Sequence, residues 1–389
     1  MARGTKEKIN NPKILINLRM LQQPYTGVQS YIFNLTRNLL RLYPDITIRA
    51  AVVNYKDDNK AINELKQYPN FELINHLGPR ASLYGILFDI FFINKYISSH
   101  DLYFCPVNIL PLIKNKKTPQ VVGVLDLCTF IVPETTSKPL KLYYDLYLRI
   151  SLKRADKIIT ISHNTKSDLS KLFNLPSTLI EVVHLGIDSD LSKKPSPKET
   201  KSYLKLLGIS KEKYFLSIGT SKRKNIETVI DAFAVHSLTH QDHKIVIIAH
   251  DSNMIDLITK RVKERNITNR VIITKKYIGP HQLQVLYRNA IALIYCPHYE
   301  GFGLPALEAM INKCPAVISN NSSLTEIGKD GAILVNHMSP KDISNAMGLL
   351  TIDKQYRKKI IYKGLKNARN YSWDKTAKEV MRVFLEQLK

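Results

Sequence analysis

The sequence predicts an α/β protein made of two doubly wound domains in tandem. Three observations lead there. The chain has 389 residues, too many for one ordinary domain and comfortable for two. Short apolar strands alternate with amphipathic helices along most of its length, the pattern of a parallel sheet covered on both faces. The alternation breaks once, in the polar, proline-bearing stretch Ser192–Lys198, and then restarts.

Lys13–Asn17 reads as the first strand, and a loop over Arg19–Gly27 leads into a helix at Val28–Tyr43. Ile32, Leu35, Leu39 and Leu40 share one face of that helix. Ile46–Val53, Val121–Leu125 and Lys157–Ile161 read as further strands, the last followed by a polar turn and a helix over Lys166–Phe173. Leu83–Ile93 is the longest apolar stretch, interrupted by Asp89. It is too short to span a bilayer, which needs about 20 residues, and reads as a buried or half-buried helix. Past the break come strands at Tyr214–Ile218, Lys244–Ala249, Val271–Thr274, Ile291–Cys296 and Ala316–Ser319, with helices at Asn225–His236 and from Pro305. The last helix, Trp373–Leu388, carries Val380, Val383, Phe384 and Leu388 on one stripe. The expected division is residues 1–191, a linker over 192–212, a second domain over 213–371, and a terminal helix over 372–389 that caps its own domain or returns to the first.

Composition excludes several classes. Cys105, Cys128, Cys296 and Cys314 show neither CxxC nor metal-ligand spacing, so they read as buried thiols in a reducing, cytoplasmic compartment. Met1–Asn11 has no apolar run behind it, so no signal peptide is expected. The formal net charge of +24 attracts phosphates or an anionic membrane, to which the protein would attach peripherally. The charges are dispersed along polar faces, and no zinc-finger or aromatic RNA-binding motif accompanies them, so nucleic acid is not an expected partner.

The chemistry concentrates in Ile294–Met310. A strand ends near Cys296, then come Glu300, Gly301, Phe302, Gly303, Leu304 and Pro305, and then helix-forming residues including Glu308. Glycines let backbone N–H groups approach a ligand, proline suits a first helical turn, and the helix N-terminus offers donors and a positive dipole end. Glu300 and Glu308, the latter placed in the first helical turn, bracket this anion cradle, and each carboxylate can accept from a vicinal diol. Gly301-x-Gly303-x-x-Ala306 formally fits the dinucleotide fingerprint. It lies late in the chain, however, and the next strand ends in Asn320 rather than an acid. A second cradle is expected at Ser217–Asn225, where a strand, Gly219 and the cations Lys222, Arg223 and Lys224 open a helix at the ligand-binding edge of the sheet. Cations there suit a leaving diphosphate.

These segments resemble the retaining glycosyltransferase family 4, whose fold is GT-B: two Rossmann-like doubly wound domains facing each other across a cleft. Glu300 and Glu308 match the family's Glu-x7-Glu motif with Gly301–Pro305 between them. Ser322–Glu326 resembles its next loop, and Gly219-Thr220 with Arg223-Lys224-Asn225 its phosphate loop. Asp156–Ser162 and Val182–Asp188 resemble the stretches that close its first domain, and Tyr371-Ser372-Trp373 the start of its last helix. The resemblance implies that Lys224, supported by Arg223 or Lys222, contacts donor phosphates. It implies that Glu300 binds donor-sugar hydroxyls, the N–H groups of Gly301–Leu304 hold sugar and phosphate oxygens, and Glu308 binds the ribose diol. Gly27 would lie in the acceptor-side loop near the diphosphate. Asp126 falls in a family segment that commonly reads His-Asp, with Leu125 here at the histidine position. Backbone near Lys276–Gly279 would read the base.

The expected activity is therefore transfer of a hexose or deoxyhexose from a nucleoside diphosphate sugar to a glycan or lipid-linked acceptor, with retention and without a metal or other cofactor. GDP-mannose is the first choice of donor, with UDP-glucose and a rhamnose donor open. A sugar-nucleotide epimerase would need no acceptor, and an NAD-dependent oxidoreductase would bind its cofactor. A non-catalytic binder of anionic surfaces would be indifferent to Glu300 and Glu308.

Overall fold

A computed structural model describes residues 11–21, 27–79, 82–136, 138–188, 191, 194–275 and 278–388. Among the described residues, thirteen strands form two sheets. The first contains β1 (Lys13–Asn17), β2 (Thr47–Val53), β3 (Phe71–His76), β4 (Leu102–Cys105), β5 (Gln120–Val124), β6 (Lys157–Thr160) and β7 (Ile180–Val182) in the order β3-β2-β1-β4-β5-β6-β7. The second contains β8 (Lys213–Ile218), β9 (His243–Ile248), β10 (Val271–Thr274), β11 (Leu293–Tyr295), β12 (Ala316–Ser319) and β13 (Ile333–Val335) in the order β10-β9-β8-β11-β12-β13. Every pairing is parallel, for example Ile14 opposite Ile48 and Leu102, and Leu293 opposite Leu216 and Ala316. Both orders reverse beside the first strand of their sheet, so each is doubly wound, with ligands expected outside the carboxyl ends of the strands.

The central strands, such as β4, β5, β11 and β12, are buried on both faces, which is why they form continuous apolar runs. In the first sheet, Leu15, Tyr103 and Val122 pack with Phe88, Leu148 and Leu169 from the helices. In the second, Phe215, Ile245, Ile247 and Ile294 pack with Val229, Phe233, Ile258 and Met347.

Contacts divide the chain into one unit of Met1–Phe130, Lys138–Gly186 and Trp373–Lys389, and another of Ile131–Ser137 and Ile187–Ser372. The expected change-over at 191 therefore comes earlier. The Ile187 N–H donates to the Tyr371 carbonyl at 3.4 Å, and the Leu191 carbonyl accepts from the Gln284 amide at 2.6 Å, which ties this stretch to the second unit. The expected linker over 192–212 contains a helix, Pro197–Leu206, because Ser196 and Glu199 form a reciprocal capping box at its start.

The terminal helix Trp373–Gln387 packs in the first unit. Phe384 meets Phe104 with ring centroids 5.1 Å apart, Thr376 donates to the His184 carbonyl at 2.8 Å, and Asp374 pairs with Arg41.

Two helices differ from their sequence reading. The helix expected from Lys166 begins at His163, because the Ser162 hydroxyl accepts the Thr165 N–H and caps it. Leu83–Ile93 is not one helix: an α-helix over Ser82–Leu87 passes into a π turn over Phe88–Phe92. Asp89 in that turn is buried and accepts from Arg19 Nε and Asn17 Nδ2, both at 2.8 Å.

Candidate active site

The site is built at the carboxyl ends of β8, β11 and β12. After β8, Gly219 lets the chain pass close to Ile226 and Ile247: a Cβ there would lie 3.0 Å from Ile226 Cγ1. A short 3-10 turn, Lys222–Lys224, follows. Asn225 then adopts a left-handed conformation, φ 54°, and its side-chain amide donates to the carbonyls of Cys296 at 3.0 Å and His337 at 2.7 Å. The helix Ile226–Ser237 starts from that brace. The basic turn is thus pinned to the segment after β11, and its Arg223 carbonyl accepts the His298 N–H at 2.9 Å.

After β11 the chain runs through Glu300 to Gly303, whose φ of 116° turns it into the helix Leu304–Ile311 with Pro305 in the first turn. The loop after β12 supports this turn. Ser322 Oγ accepts the Glu300 N–H at 3.1 Å, and Ser323 Oγ lies 2.9 Å from the Glu300 carbonyl and 2.7 Å from that of Phe302.

Both cradles converge on Glu300. Its Oε1 accepts from Arg223 at 2.7 Å and from Lys224 Nζ at 2.6 Å. Lys224 also donates to the Tyr295 hydroxyl and sits 4.8 Å from the centre of its ring. Burial by itself would push the Glu300 carboxyl upward. The Lys224 and Arg223 charges, with hydrogen bonds from Lys224 and Tyr295, outweigh it and hold the group below the usual carboxylate value. Burial pushes the Glu308 carboxyl in the same direction, and there it prevails. Its pKa is raised, although a hydrogen bond from the Tyr287 hydroxyl, 3.1 Å to Oε2, opposes the rise. Two carboxylates of one motif are thus set apart by their surroundings.

Several expected site residues take the positions that the sequence suggested. Gly219, Arg223, Lys224, Glu300, Gly301, Phe302, Gly303 and Leu304 belong to these two turns. Glu308 needs a correction. Gly303 is the cap residue and Leu304 the first helical residue, so at 3.6 residues per turn Glu308 falls in the second turn. Gly27 and Asp126 lie in the first unit. Gly27 opens the helix Gly27–Leu42, and Asp126 follows β5, its Oδ1 accepting the Cys128 N–H at 3.1 Å. Lys276 lies outside the described residues. Sequence reasoning missed Tyr287 and Tyr295, which nothing in their local sequence marks for the site, and the bracing role of Asn225. An asparagine directly before a helix was a visible signal for the last of these.

Residues 25–191 match the family described as Glycosyltransferase Family 4, and residues 201–367 match Glycosyl transferases group 1. The chain belongs to glycosyltransferase family 4. This family 4 glycosyltransferase is 27% identical over 390 residues to the O-antigen chain mannosyltransferase B of Escherichia coli, covering 96% of this chain and 99% of the relative. It is 28% identical over 240 residues to the O-antigen chain mannosyltransferase RfbU of Salmonella typhimurium, covering 61% of each. Among solved structures, it resembles Anabaena HepE in complex with UDP and glucose, with a TM-score of 0.73 at 16% identity over 96% of this chain and 99% of that one. It also resembles sucrose-phosphate synthase from Thermosynechococcus elongatus, with a TM-score of 0.75 at 17% identity over 97% and 99%. The fold is GT-B, with two Rossmann-like domains.

Among the described residues, no helix of this glycosyltransferase is long and apolar enough to cross a membrane.

Proposed function

We propose that this glycosyltransferase moves mannose from GDP-mannose to a growing glycan, carried on a lipid or free, with retention of anomeric configuration and without a metal ion. The observation that carries the reading is the convergence of Lys224 and Arg223 on the buried carboxylate of Glu300 beside a helix N-terminus. A diphosphate entering there meets two preplaced cations and the positive end of a helix. Its negative charge can take over Lys224 and Arg223, which leaves Glu300 to accept from sugar hydroxyls. Charge that develops on the leaving phosphate as the glycosidic bond breaks is met by these same cations, and the leaving phosphate then accepts the acceptor's proton. Glu308, one turn further into the helix, binds the ribose diol. The mannosyl donor is supported by the mannosyltransferase names of the Escherichia coli and Salmonella relatives, and the glycan acceptor by their O-antigen chains.

Thermal-shift titration with a panel of nucleotide sugars tests the donor. GDP-mannose should stabilise the protein most, whereas a larger shift with UDP-glucose or a rhamnose donor would replace the mannosyl assignment. Transfer should also survive excess EDTA. Loss restored by magnesium or manganese would point instead to a carboxylate site such as the Asp188-Ser189-Asp190 sequence. Isomerised sugar formed from donor alone would make the protein an epimerase.

A further inference from the structure

We propose that the helix Lys138–Arg154, together with the end of the neighbouring helix His163–Phe173, is the surface on which this protein docks to an anionic phospholipid bilayer.

Leu142, Leu146, Arg149 and Lys153 recur at intervals of four, three and four residues, so they form one stripe along the helix. Leu142 is 71% and Leu146 54% exposed. The core-facing side of the same helix is occupied by Leu148, Ser151 and Leu152, all at 0–1% exposure. The two leucines are therefore not the edge of the core. They lie on the side of the helix that the fold leaves to solvent.

The adjoining helix extends the surface. The Arg149 guanidinium sits 5.0 Å from the centre of the Phe173 ring, which places the exposed Lys171 and the 42% exposed Leu172 beside the stripe. Cations surround the leucines: Lys141, Arg149, Lys153 and Lys171 are all exposed. The single acid of the helix, Asp145, is held by Arg149 at 2.8 Å.

Charge complementarity selects the occupant. The helix carries five Lys or Arg against one Asp, in a chain of net charge +24. Two leucines one turn apart among long cationic side chains suit a headgroup layer: the leucines enter the apolar boundary, and the lysine stems extend along it while their ammonium groups reach lipid phosphates. A protein partner would call for a wider apolar patch with fewer charges at its centre. The proposal uses no residue of the donor site and stands whatever the donor.

Sedimentation of the full chain with lipid vesicles tests it. Vesicles of phosphatidylcholine with phosphatidylglycerol should bind the protein, and vesicles of phosphatidylcholine alone should not. Raising salt from about 0.1 to about 0.5 M should weaken binding about tenfold, through shorter screening length. The double variant Leu142→Asp, Leu146→Asp should lower partitioning about tenfold, as should Lys141→Glu with Lys153→Glu. Leu238→Asp, at a 76% exposed site of the second unit, should change nothing. Unaltered thermal midpoints would show that each variant folds; should the leucine pair fail this check, the lysine pair decides. Equal binding to neutral vesicles, binding retained by the folded variants, or an equal loss with Leu238→Asp would overturn the proposal.

Discussion

Glu300 is a carboxylate only 7% exposed, a costly place for a charge unless it is paired. Arg223 and Lys224 supply the pairing, and Tyr295 holds Lys224 through both its hydroxyl and its ring. Lys224→Ala would leave Glu300 with Arg223 as its cation and remove one cation from the leaving diphosphate. Turnover should fall on the order of 10²-fold, comparable to losing one preorganised donor in an active site. Unchanged turnover in a steady-state assay would move the phosphates elsewhere.

Glu308 makes a pH-dependent counterpart. Its pKa is raised above 4.5 by burial, so the folded state holds the proton more tightly than the unfolded chain. Its contribution to stability is therefore greatest at low pH and declines as pH rises from 4.5 through the folded value. Glu300 has the opposite sign: its stabilisation is present above 4.5 and is lost only as pH falls through its depressed value. If ionised Glu308 binds the ribose diol, nucleoside diphosphate affinity should rise with pH through an inflection above the ordinary carboxylate value. Glu308→Gln should abolish that inflection and cost about 1.5–3 kcal/mol of affinity at neutral pH. Calorimetry across the acidic range checks both outcomes, and an inflection that survives the substitution would assign it to another group.

At the level of elements, two turns do most of the positioning: Asn225 braces the first from a left-handed conformation, and the second depends on a glycine. Gly303 combines φ 116° with a close neighbour: a Cβ there would lie 2.5 Å from Leu324 Cδ2. Gly303→Ala should destabilise the protein by about 1–3 kcal/mol, seen as a lower urea midpoint, and should disturb donor binding as well because Glu300 precedes the same turn. A stable variant with weak donor binding would mean that the helix start shifts without unfolding. Continuous apolar strands and amphipathic helices were legible because their periodicity is local. Two helix starts were misplaced although local signals mark them: Ser196 with Glu199 caps a helix inside the stretch read as linker, and Ser162 caps one that was begun at Lys166. The π turn at Phe88–Phe92 was not legible, because Asp89 is held by Asn17 and Arg19, about seventy residues earlier. Short strands such as β4 and β13 also escaped, since three or four apolar residues look alike in a strand and in a helix.

For the whole molecule, the first strand and the last helix belong to one unit. The helix Trp373–Gln387 places Val380, Val383 and Phe384 in the first unit at 0% exposure. Phe384→Ala should cost about 3–5 kcal/mol through lost apolar contact and a residual cavity. Because the damage falls in the first unit, hydrogen exchange should accelerate at β4, around Phe104, and leave β8 and β9 protected. Uniform acceleration through both units would show that they unfold together.

The sequence by itself determined the architecture and the substance of the site. Continuous apolar strands alternating with amphipathic helices require parallel sheets covered on both faces, and a Gly-Phe-Gly-Leu-Pro turn between two glutamates requires a backbone cradle at a helix start. Those are local properties, carried by periodicity and by the conformational limits of glycine and proline. Only the tertiary structure decided which charges meet. It brought Arg223 and Lys224 onto Glu300 across more than seventy residues, placed Tyr295 beneath the lysine and Tyr287 against Glu308, and joined the last helix to the first unit. The physical reason is that an ion pair, a pKa shift and a docked helix each depend on distance in space, and distance in space follows from the strand order, which no stretch of sequence states.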